Sequence, residues 1–406
     1  MASVEPSSTT RTRGRWTHTA STSGPIAAAS LKQGMTAAQS TAQRRRTARR
    51  LTIGLPLWLP LLFNPRGMNS RTFPNADTLA ARGEAQAILH AEAAAATRAR
   101  FGREVFVRGV VEVSNHCREN CHYCGMRRDN RSLDRYRASH DQLADLLVHH
   151  RPASLTDVNI QTGEDPVAVR EVVLPLVRTL RRETPLGVSV CLGTLNETFY
   201  DELQAAGASL YIIKFELAKA ARYEQLEAPG TLAERARHIR LLAARGWRVS
   251  SGFIAGLPGQ DEDELLANLQ LAHELPLDGC SVSPFIPGEA TPLAREPVGA
   301  VDTTLNCMAA LRLMRPELVI PAVSALNLTG ADDGYHRGLR AGANLCTINL
   351  TPTEIRSDYL LYKRERFIMN EERVLRTIAA EGLEVSRVGM TEHWRTKPVL
   401  AEAMAG

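Results

Sequence analysis

The sequence contains no apolar run long enough to cross a membrane. The segment LTIGLPLWLPLLF (51–63) has 13 residues and two prolines, whereas a spanning helix needs about 20 apolar residues. Cysteine is scarce too, with seven in 406 residues, which excludes a disulfide-rich secreted scaffold and indicates a reducing compartment. Hydrophobic residues make up 44% and charged residues 23% of the chain, as in globular proteins that bury a large core.

Basic charge is also scarce outside the first part of the chain. The net charge is +5, yet residues 1–67 hold ten Lys and Arg residues and one acid, Glu5, a local charge of +9. Taking +9 from +5 leaves −4 for the remaining residues. The body of the protein therefore has no electrostatic pattern that favours nucleic acid or an anionic membrane.

Residues 1–67 are rich in Ser, Thr, Ala and Arg and show little periodicity, which predicts a disordered basic extension. Within them, the basic run RRRTARR (44–50) precedes the apolar run 51–63, and NPRG follows instead of a small-residue cleavage site. We interpret this extension as a dispensable or mis-assigned start, with Met68 as the candidate true start. A targeting segment is the alternative.

Short β-rich runs alternate with helical segments in most of the remaining chain. We predict a helical segment over 68–103, a barrel over 104–395 and a tail over 396–406. Since such alternation produces parallel sheets, eight units predict an α/β protein with a (β/α)8 TIM-type barrel; an open doubly wound sheet is the alternative. The predicted strands are 104–113, 155–160, 187–192, 209–215, 248–255, 279–285, 318–324 and 344–350.

Three cysteines lie within eight residues, directly after the first predicted strand. Cys117, Cys121 and Cys124 have the spacing CxxxCxxC, which suits three irons of a 4Fe-4S cluster and leaves the fourth iron open for a small molecule. One alternative is a zinc site completed by His116 or His122, and another is a set of unliganded thiols.

These cysteines and several later motifs resemble the radical S-adenosylmethionine (SAM) superfamily. The stretch VRGVVEVSNHCRENCHYCGMRRDN resembles the branch that contains biotin synthase, methylornithine synthase and the radical SAM maturase of FeFe-hydrogenase. The resemblance covers about residues 80–395. The later motifs, in chain order, are QTGEDP (161–166), CLGTLNETFYDELQAAGA (191–208), KFELAKAARYEQL (214–226), GFIAGLPGQDEDE (252–264), SPFIPGEATPL (283–293) and AGANLCTINLTP (341–352).

The resemblance implies a cofactor pair and a reaction type. One 4Fe-4S cluster per chain binds SAM through its open iron, an electron enters the sulfonium, and a 5′-deoxyadenosyl radical abstracts hydrogen from a small-molecule substrate. The protein positions SAM and shields the radical. The implied partner is a flavodoxin- or ferredoxin-type electron donor, with no nucleic acid and no membrane, and the expected compartment is the cytoplasm.

The resemblance also assigns expected SAM contacts. Gly163 and Glu164 follow the second predicted strand, and Glu216 ends the fourth. Arg235, in LAERARHIR, is the expected partner of the SAM carboxylate, and the GFIAG turn is expected to line the adenine. Ordinary turns and solvent-facing charges are the alternatives. Lys214 stands where the hydrogenase maturase has an arginine. The expected contacts are Tyr123, Gly163, Glu164, Glu216, Arg235, Ile254 and Gly256.

Cysteine placement separates the branches. The strand positions at which biotin synthase holds a second cluster fall on Ser189 and Ser250, so sulfur insertion is disfavoured. We expect Cys191, Cys280 and Cys346 to be buried in strands as small hydrophobic residues. The sequence at the end of the chain resembles methylornithine synthase more, whereas the segments VRGVVEVSN and SPFIPGEATPL resemble the hydrogenase maturase more.

The substrate is expected to be small, polar and similar to an amino acid, with its carboxylate at Arg356. The leading hypothesis is hydrogen abstraction followed by rearrangement or cleavage of the carbon skeleton. Sulfur insertion or metallocofactor maturation is the second, and a non-catalytic iron-sulfur or zinc protein is the third. Solvent-facing loop polarity is the alternative for each candidate contact: Ser324, Asn327, Asn349, Arg356 and Tyr359.

Overall fold

The computed structural model describes residues 73–328, 333–364 and 368–396. The predicted extension 1–67, with its apolar run, and residues 397–406 of the predicted tail lie outside the described residues. Within the described ranges, no helix combines the length and apolar character needed to span a bilayer.

Seven parallel strands form a curled sheet in the order β6-β5-β4-β3-β2-β1-β7, and an eighth, very short strand pairs with the start of β1. The α/β fold with a parallel sheet is thus confirmed. The strands are β1 Glu104–Ser114, β2 Asp157–Thr162, β3 Gly187–Cys191, β4 Leu210–Ile212, β5 Arg248–Ala255, β6 Gly279–Pro284, β7 Leu345–Asn349 and β8 Glu384–Val385.

The predicted seventh strand, 318–324, differs from the structure. This segment forms isolated parallel bridges only, Val319 with Gly279 of β6 and Pro321 with Leu345 of β7. The physical reason is that Pro321 has no N–H to donate to a neighbouring strand. The segment nevertheless bridges the two edges of the sheet, and we call the sheet with this segment the barrel.

Helices follow most of the strands. The helix that contains Arg235, Leu232–Ala244, begins with a capping box. The Thr231 hydroxyl accepts from Glu234 N, and the Glu234 carboxylate accepts from Thr231 N, both at 3.2 Å. The helices are α1 Ala76–Ala80, α2 Gly83–Phe101, α3 His140–His149, α4 Pro166–Ala168, α5 Leu174–Glu183, α6 Glu197–Ala206, α7 Ala220–Gln225, α8 Leu232–Ala244, α9 Glu262–Glu274, α10 Val301–Met314, α11 Gly334–Arg340, α12 Thr353–Arg356, α13 Glu371–Ala380 and α14 Met390–Arg395.

Two irregular helical turns complete the fold: a π-helical turn, Val169–Val173, joins α4 to α5, and a 3-10 helix spans Ser324–Leu328. The main core lies between the strands and the surrounding helices. A second apolar cluster at the amino ends of the strands includes Met390 and Trp394 of α14. The backbone N–H of Met390 donates to the buried Asp157 carboxylate at 2.9 Å, which fixes α14 at this end of the barrel.

Candidate functional site

Two adjoining cavities occupy the barrel. The cysteine cavity lies at the carboxyl ends of the strands and is lined by Cys117, Cys121 and Cys124. The barrel cavity lies deeper and reaches Met390 and Trp394 of α14. Seven residues line both cavities, and they mark the passage between them: Gln161, Cys191, Ile212, Lys214, Ser283, Leu361 and Tyr362.

The loop that contains the three cysteines is held by backbone hydrogen bonds to distant segments. Arg118 N donates to Glu164 O at 3.3 Å, His122 N to Leu226 O at 3.0 Å and Gly125 N to Leu361 O at 3.3 Å. The Arg135 guanidinium also donates hydrogen bonds to two backbone carbonyl groups just after the last cysteine, Met126 O at 2.9 Å and Arg127 O at 2.7 Å. Sequence reasoning missed Arg135, because an arginine after a basic loop carries no distinguishing pattern.

The three thiols share one environment. Burial raises the pKa of all three, and the neighbouring cysteines raise the pKa of Cys121 further, well above the usual thiol value. The pKa of Cys124 reaches about 12. The thiols are thus close enough to repel one another as thiolates, a repulsion that a bound cation would relieve.

The donor set fits a cluster better than a single metal ion. Among the described residues, no three His, Cys, Asp or Glu side chains are grouped around one ion, whereas a 4Fe-4S cluster binds each thiolate through a different iron. The histidines of the zinc alternative, His116 and His122, are not among the residues that line the cysteine cavity. His122 instead approaches Glu227, with Nε2 3.3 Å from Oε1.

Gly163 and Glu164, which follow β2, both line the cysteine cavity. A Cβ atom on Gly163 would collide with the carbonyl oxygen of His116 and lie 2.9 Å from Cβ of Cys117. Only glycine therefore allows the cysteine loop to pack against the end of β2. Glu164 N lies 3.4 Å from the Cys117 sulfur, so this segment contacts the expected cluster ligand directly.

The Glu164 carboxylate joins two arginines at the cavity wall. It accepts from Arg235 Nη2 at 2.9 Å, from Arg118 Nη2 at 3.0 Å and from Thr194 N at 3.0 Å. Arg235 is 3% exposed and Glu164 7%, so the pair is a buried one. The Nε atom of Arg235 is buried and has no hydrogen-bond partner among the described residues.

Glu216 follows β4 and has the left-handed backbone conformation, with φ +62°, which is costly for a residue with a side chain. Glu216 N donates to Gly252 O, and Glu216 O accepts from Ile254 N, at 3.0 and 2.9 Å. Burial raises the pKa of Glu216, although the charges of Lys214 and Arg235 oppose the shift. Glu216 and Lys214 line the cysteine cavity together.

Of the three remaining expected SAM contacts, two line the cysteine cavity and one does not. Tyr123 and Ile254 line the cysteine cavity, and the Tyr123 hydroxyl is buried without a hydrogen-bond partner in the described part of the chain. Gly256 does not line it; its φ of +84° and its close packing against Gly299 make it a turn residue.

The expected substrate contacts are only partly brought together. Ser324 and Asn349 line the barrel cavity, and Tyr359 lines the cysteine cavity. Asn327 and Arg356 line neither cavity. Arg356 Nε donates to Thr351 O at 2.8 Å, so its guanidinium fixes the loop after β7 and does not face the cavities.

Sequence reasoning missed most of the polar residues inside the barrel. A TIM-type barrel is normally filled by branched apolar side chains, but here β1 contributes Arg108 and Glu112, and β2 contributes Asn159 and Gln161. These residues recur at every second or fourth position of otherwise apolar strands. That spacing places them on one face and was a signal available in the sequence.

The outcome for the strand cysteines is mixed. Cys280 and Cys346 are fully buried, as predicted. Cys191 differs, because it lines the passage between the cavities; it ends β3, where inward positions face the open interior. Of the two positions aligned with second-cluster ligands, Ser250 lines the barrel cavity, and Ser189 is buried and donates to Val158 O at 3.1 Å.

A curled parallel α/β sheet with three cysteines beyond its first strand defines the class of the protein, and comparisons with known proteins name that class. The model of the Radical SAM superfamily matches residues 111–272. The FeFe hydrogenase maturase subunit HydE of Thermotoga maritima is 32% identical over 302 residues, which cover 74% of this chain and 81% of the maturase. The chain therefore belongs to the radical SAM superfamily, and members of this family use a 4Fe-4S cluster and SAM.

Other relatives agree with the predicted branch. The 3-methylornithine synthase of Methanosarcina acetivorans is 27% identical over 249 residues, covering 61% of this chain and 70% of the synthase. The biotin synthase of Corynebacterium glutamicum is 26% identical over 254 residues, covering 60% and 73%. The crystal structure of methylornithine synthase matches the fold with a TM-score of 0.68 and 23% identity, covering 76% of this chain and 92% of that one.

Proposed function

We propose that this radical SAM enzyme abstracts hydrogen from a small polar, amino-acid-like metabolite and rearranges or cleaves its carbon skeleton. The supporting observation is that the cysteine cavity adjoins a barrel cavity lined with polar side chains, so a small molecule can lie next to the cofactor site. When bound, the reduced cluster and SAM supply a 5′-deoxyadenosyl radical for the abstraction.

In this proposal Cys117, Cys121 and Cys124 hold the cluster and leave one iron for SAM. Glu164 and Glu216 provide negative charge for the SAM ammonium group. The Nε of Arg235, which has no hydrogen-bond partner among the described residues, can donate to the SAM carboxylate, while its Nη2 holds Glu164 in place.

Two further groups shape the cofactor site. The buried Tyr123 hydroxyl provides one more polar group beside the cysteines, and Ile254 and Phe285 form an apolar wall that excludes water. The electron comes from a flavodoxin- or ferredoxin-type donor. We propose a cytoplasmic location, because an oxygen-sensitive cluster needs a reducing compartment.

The test is SAM cleavage by anaerobically reconstituted protein with dithionite and a panel of amino acids. A substrate should accelerate formation of 5′-deoxyadenosine, and deuterium from the labelled substrate should appear in that product. Cys117→Ala should abolish cleavage. Cys307→Ala, at a buried cysteine of α10 that lines neither cavity, should retain it. Equal loss in both variants would contradict the assigned site.

A second candidate function is metallocofactor maturation. It is favoured by the 32% identity to the hydrogenase maturase subunit. Restored hydrogenase activity in a host that lacks its own maturase would select this function over carbon-skeleton chemistry. Sulfur insertion needs a second cluster, but Ser189 and Ser250 stand at two of its expected positions; iron well above about four atoms per chain would revive it.

A further inference from the structure

The deep end of the barrel cavity holds an arginine, Arg108, that forms no ion pair with any of the described residues. Arg108 lies in the middle of β1, aligned with Asp157 of β2 and Thr347 of β7. Its side chain makes one marginal hydrogen bond, from Nη2 to the Thr347 hydroxyl at 3.5 Å. Its Nε is buried without a partner among the described residues. Most of this guanidinium is therefore available to a ligand.

Two fully buried arginines of the barrel, Arg235 and Arg312, each have a strong partner that Arg108 lacks among the described residues. Arg312 donates to Gly342 O at 2.9 Å, Leu318 O at 2.8 Å and Asn344 Oδ1 at 2.9 Å. Arg235 pairs with the Glu164 carboxylate at 2.9 Å. Arg108 as a residue is partly buried, and its Nε is fully buried. Removing part of a cation from water without giving it a partner is unfavourable, so an anion that enters the cavity and meets Arg108 lowers that cost.

The nearest aligned carboxylate does not fill this role. Asp157 accepts from Met390 N at 2.9 Å and from the Thr156 hydroxyl at 2.8 Å. Asp157 forms no ion pair with Arg108, because no nitrogen of the guanidinium lies within 4.0 Å of a carboxylate oxygen of Asp157. Asp157 thus acts on Arg108 only as a more distant charge, and it holds the α14 segment instead.

We propose that Arg108 binds the carboxylate of the substrate at the deep end of the barrel cavity. This inference rests on the proposed function and corrects its detail, because Arg356, the expected carboxylate partner, faces Thr351 and lines neither cavity. A planar guanidinium with a nearby hydroxyl suits a singly charged planar anion. The apolar neighbours Leu210, Leu345 and Trp394 suit a carbon chain beside that anion.

This placement fixes which part of the substrate reacts. Arg108 lines only the barrel cavity, whereas Gln161, Cys191 and Lys214 line the passage to the cysteine cavity. A substrate anchored at Arg108 therefore extends its far end toward the cofactor site. The C–H bond that breaks lies remote from the carboxylate; with SAM and the reduced cluster bound, the 5′ carbon of the adenosyl group would take up its hydrogen atom, and the unpaired electron would stay on the substrate carbon.

The test compares hexanoate with its neutral analogue hexanamide as probes, by calorimetric titration of reconstituted protein. The wild type should bind hexanoate at least about tenfold more tightly, as a charge-assisted hydrogen bond requires. Arg108→Gln should remove this preference, and Arg108→Lys should retain part of it. The control is Arg103→Gln, at an arginine just before β1 that is 62% exposed, and it should behave as the wild type.

The variants also distinguish a ligand contact from a structural role. Because Arg108 makes only one marginal hydrogen bond among the described residues, to Thr347, Arg108→Gln should unfold at the same temperature as the wild type or higher. A fall of several degrees, equal affinity of the wild type for both probes, or a preserved preference in Arg108→Gln would overturn the inference.

The proposed function can fail separately. Absence of 5′-deoxyadenosine from the same preparation would reject the function, while a preference for hexanoate would still place an anion site at Arg108. Formation of 5′-deoxyadenosine without that preference would reject the anion site alone.

Discussion

The charged groups of the two cavities differ in whether they have ion-pair partners among the described residues. In the cysteine cavity, Glu164 pairs with both Arg118 and Arg235, so these charges are positioned before any ligand arrives. At the deep end of the barrel cavity, Arg108 has neither an ion-pair partner nor a well-formed hydrogen bond among the described residues. The difference indicates that one region is preorganised for a cofactor that the whole family uses, whereas the other depends on its substrate for neutralisation.

The largest expected effect concerns the cysteine cavity itself. Changing Cys117, Cys121 and Cys124 together to Ala should lower the iron content from about four atoms per chain to near zero. The reason is that each thiolate holds a separate iron. Iron and sulfide analysis after anaerobic reconstitution measures the change. Full iron retention in the triple variant would contradict the ligand assignment, and Cys346→Ala, at a buried cysteine that lines neither cavity, should retain its iron.

Breaking the preorganised pair should have the next largest effect. Arg235→Gln leaves the buried Glu164 carboxylate without one of its cations and should lower the free energy of unfolding by about 3 kcal/mol. Urea unfolding of the reconstituted protein measures this loss, and calorimetry should show weaker SAM binding.

Arg237 offers a matched control on the same helix. It is 58% exposed and lies 3.6 Å from Glu197, so Arg237→Gln should change the free energy of unfolding by less than about 1 kcal/mol. Equal losses in the two variants would show that burial of the Arg235 pair has no special importance.

The close contact between β2 and the cysteine loop provides a smaller perturbation. Gly163→Ala should displace the loop at His116 and Cys117 and lower the free energy of unfolding by about 2 kcal/mol. The displacement should also speed the loss of iron to a chelator. Gly83→Ala is the control: its Cβ meets no atom within 4 Å, although its φ of +58° costs about 1 kcal/mol. If both variants lose iron at the wild-type rate, the contact does not hold the loop.

The smallest expected effect lies outside both cavities. Arg237 Nη2 donates to His238 Nε2 at 2.8 Å, which requires that nitrogen to be unprotonated. Burial, followed by the charges of Arg237 and Arg235, lowers the pKa of His238 below 6.5. The unfolded chain therefore binds the proton more readily, so stability should fall as the pH decreases from 6.5 through the lower folded pKa.

His238→Gln should flatten this pH dependence, as measured by thermal unfolding between pH 7.5 and about pH 5. An unchanged slope would show that His238 is not the group responsible. A flattened slope with unaltered SAM binding would separate this structural histidine from the cofactor site.

The comparison between the cavities also explains what the sequence could reveal. The spacing of Cys117, Cys121 and Cys124 is local, and so is the segment that contains Gly163 and Glu164, so both could be read directly. The alternation of strands and helices predicted the parallel sheet for the same reason. Arg108 could not be selected in this way, because its meaning depends on which groups the register of β2 and β7 places beside it.

Three expectations meet physical constraints that the sequence alone does not reveal. Residues 318–324 have the composition of a strand, but Pro321 limits them to isolated bridges. Arg356 has the charge expected of a carboxylate partner, yet a nearby carbonyl group, Thr351 O, takes up its guanidinium. Cys191 faces a cavity because the interior of this barrel is not filled with side chains, a property that no single strand reveals.

We propose that the cysteine cavity supports reductive cleavage of SAM beside a substrate cavity. The most direct measurement is quantification of 5′-deoxyadenosine and methionine after anaerobic reconstitution, with dithionite and SAM added. We expect both products in equal amounts, dependent on Cys117, Cys121 and Cys124, from protein that holds about four irons per chain. A fully loaded protein that forms no 5′-deoxyadenosine, even slowly and without substrate, would contradict it.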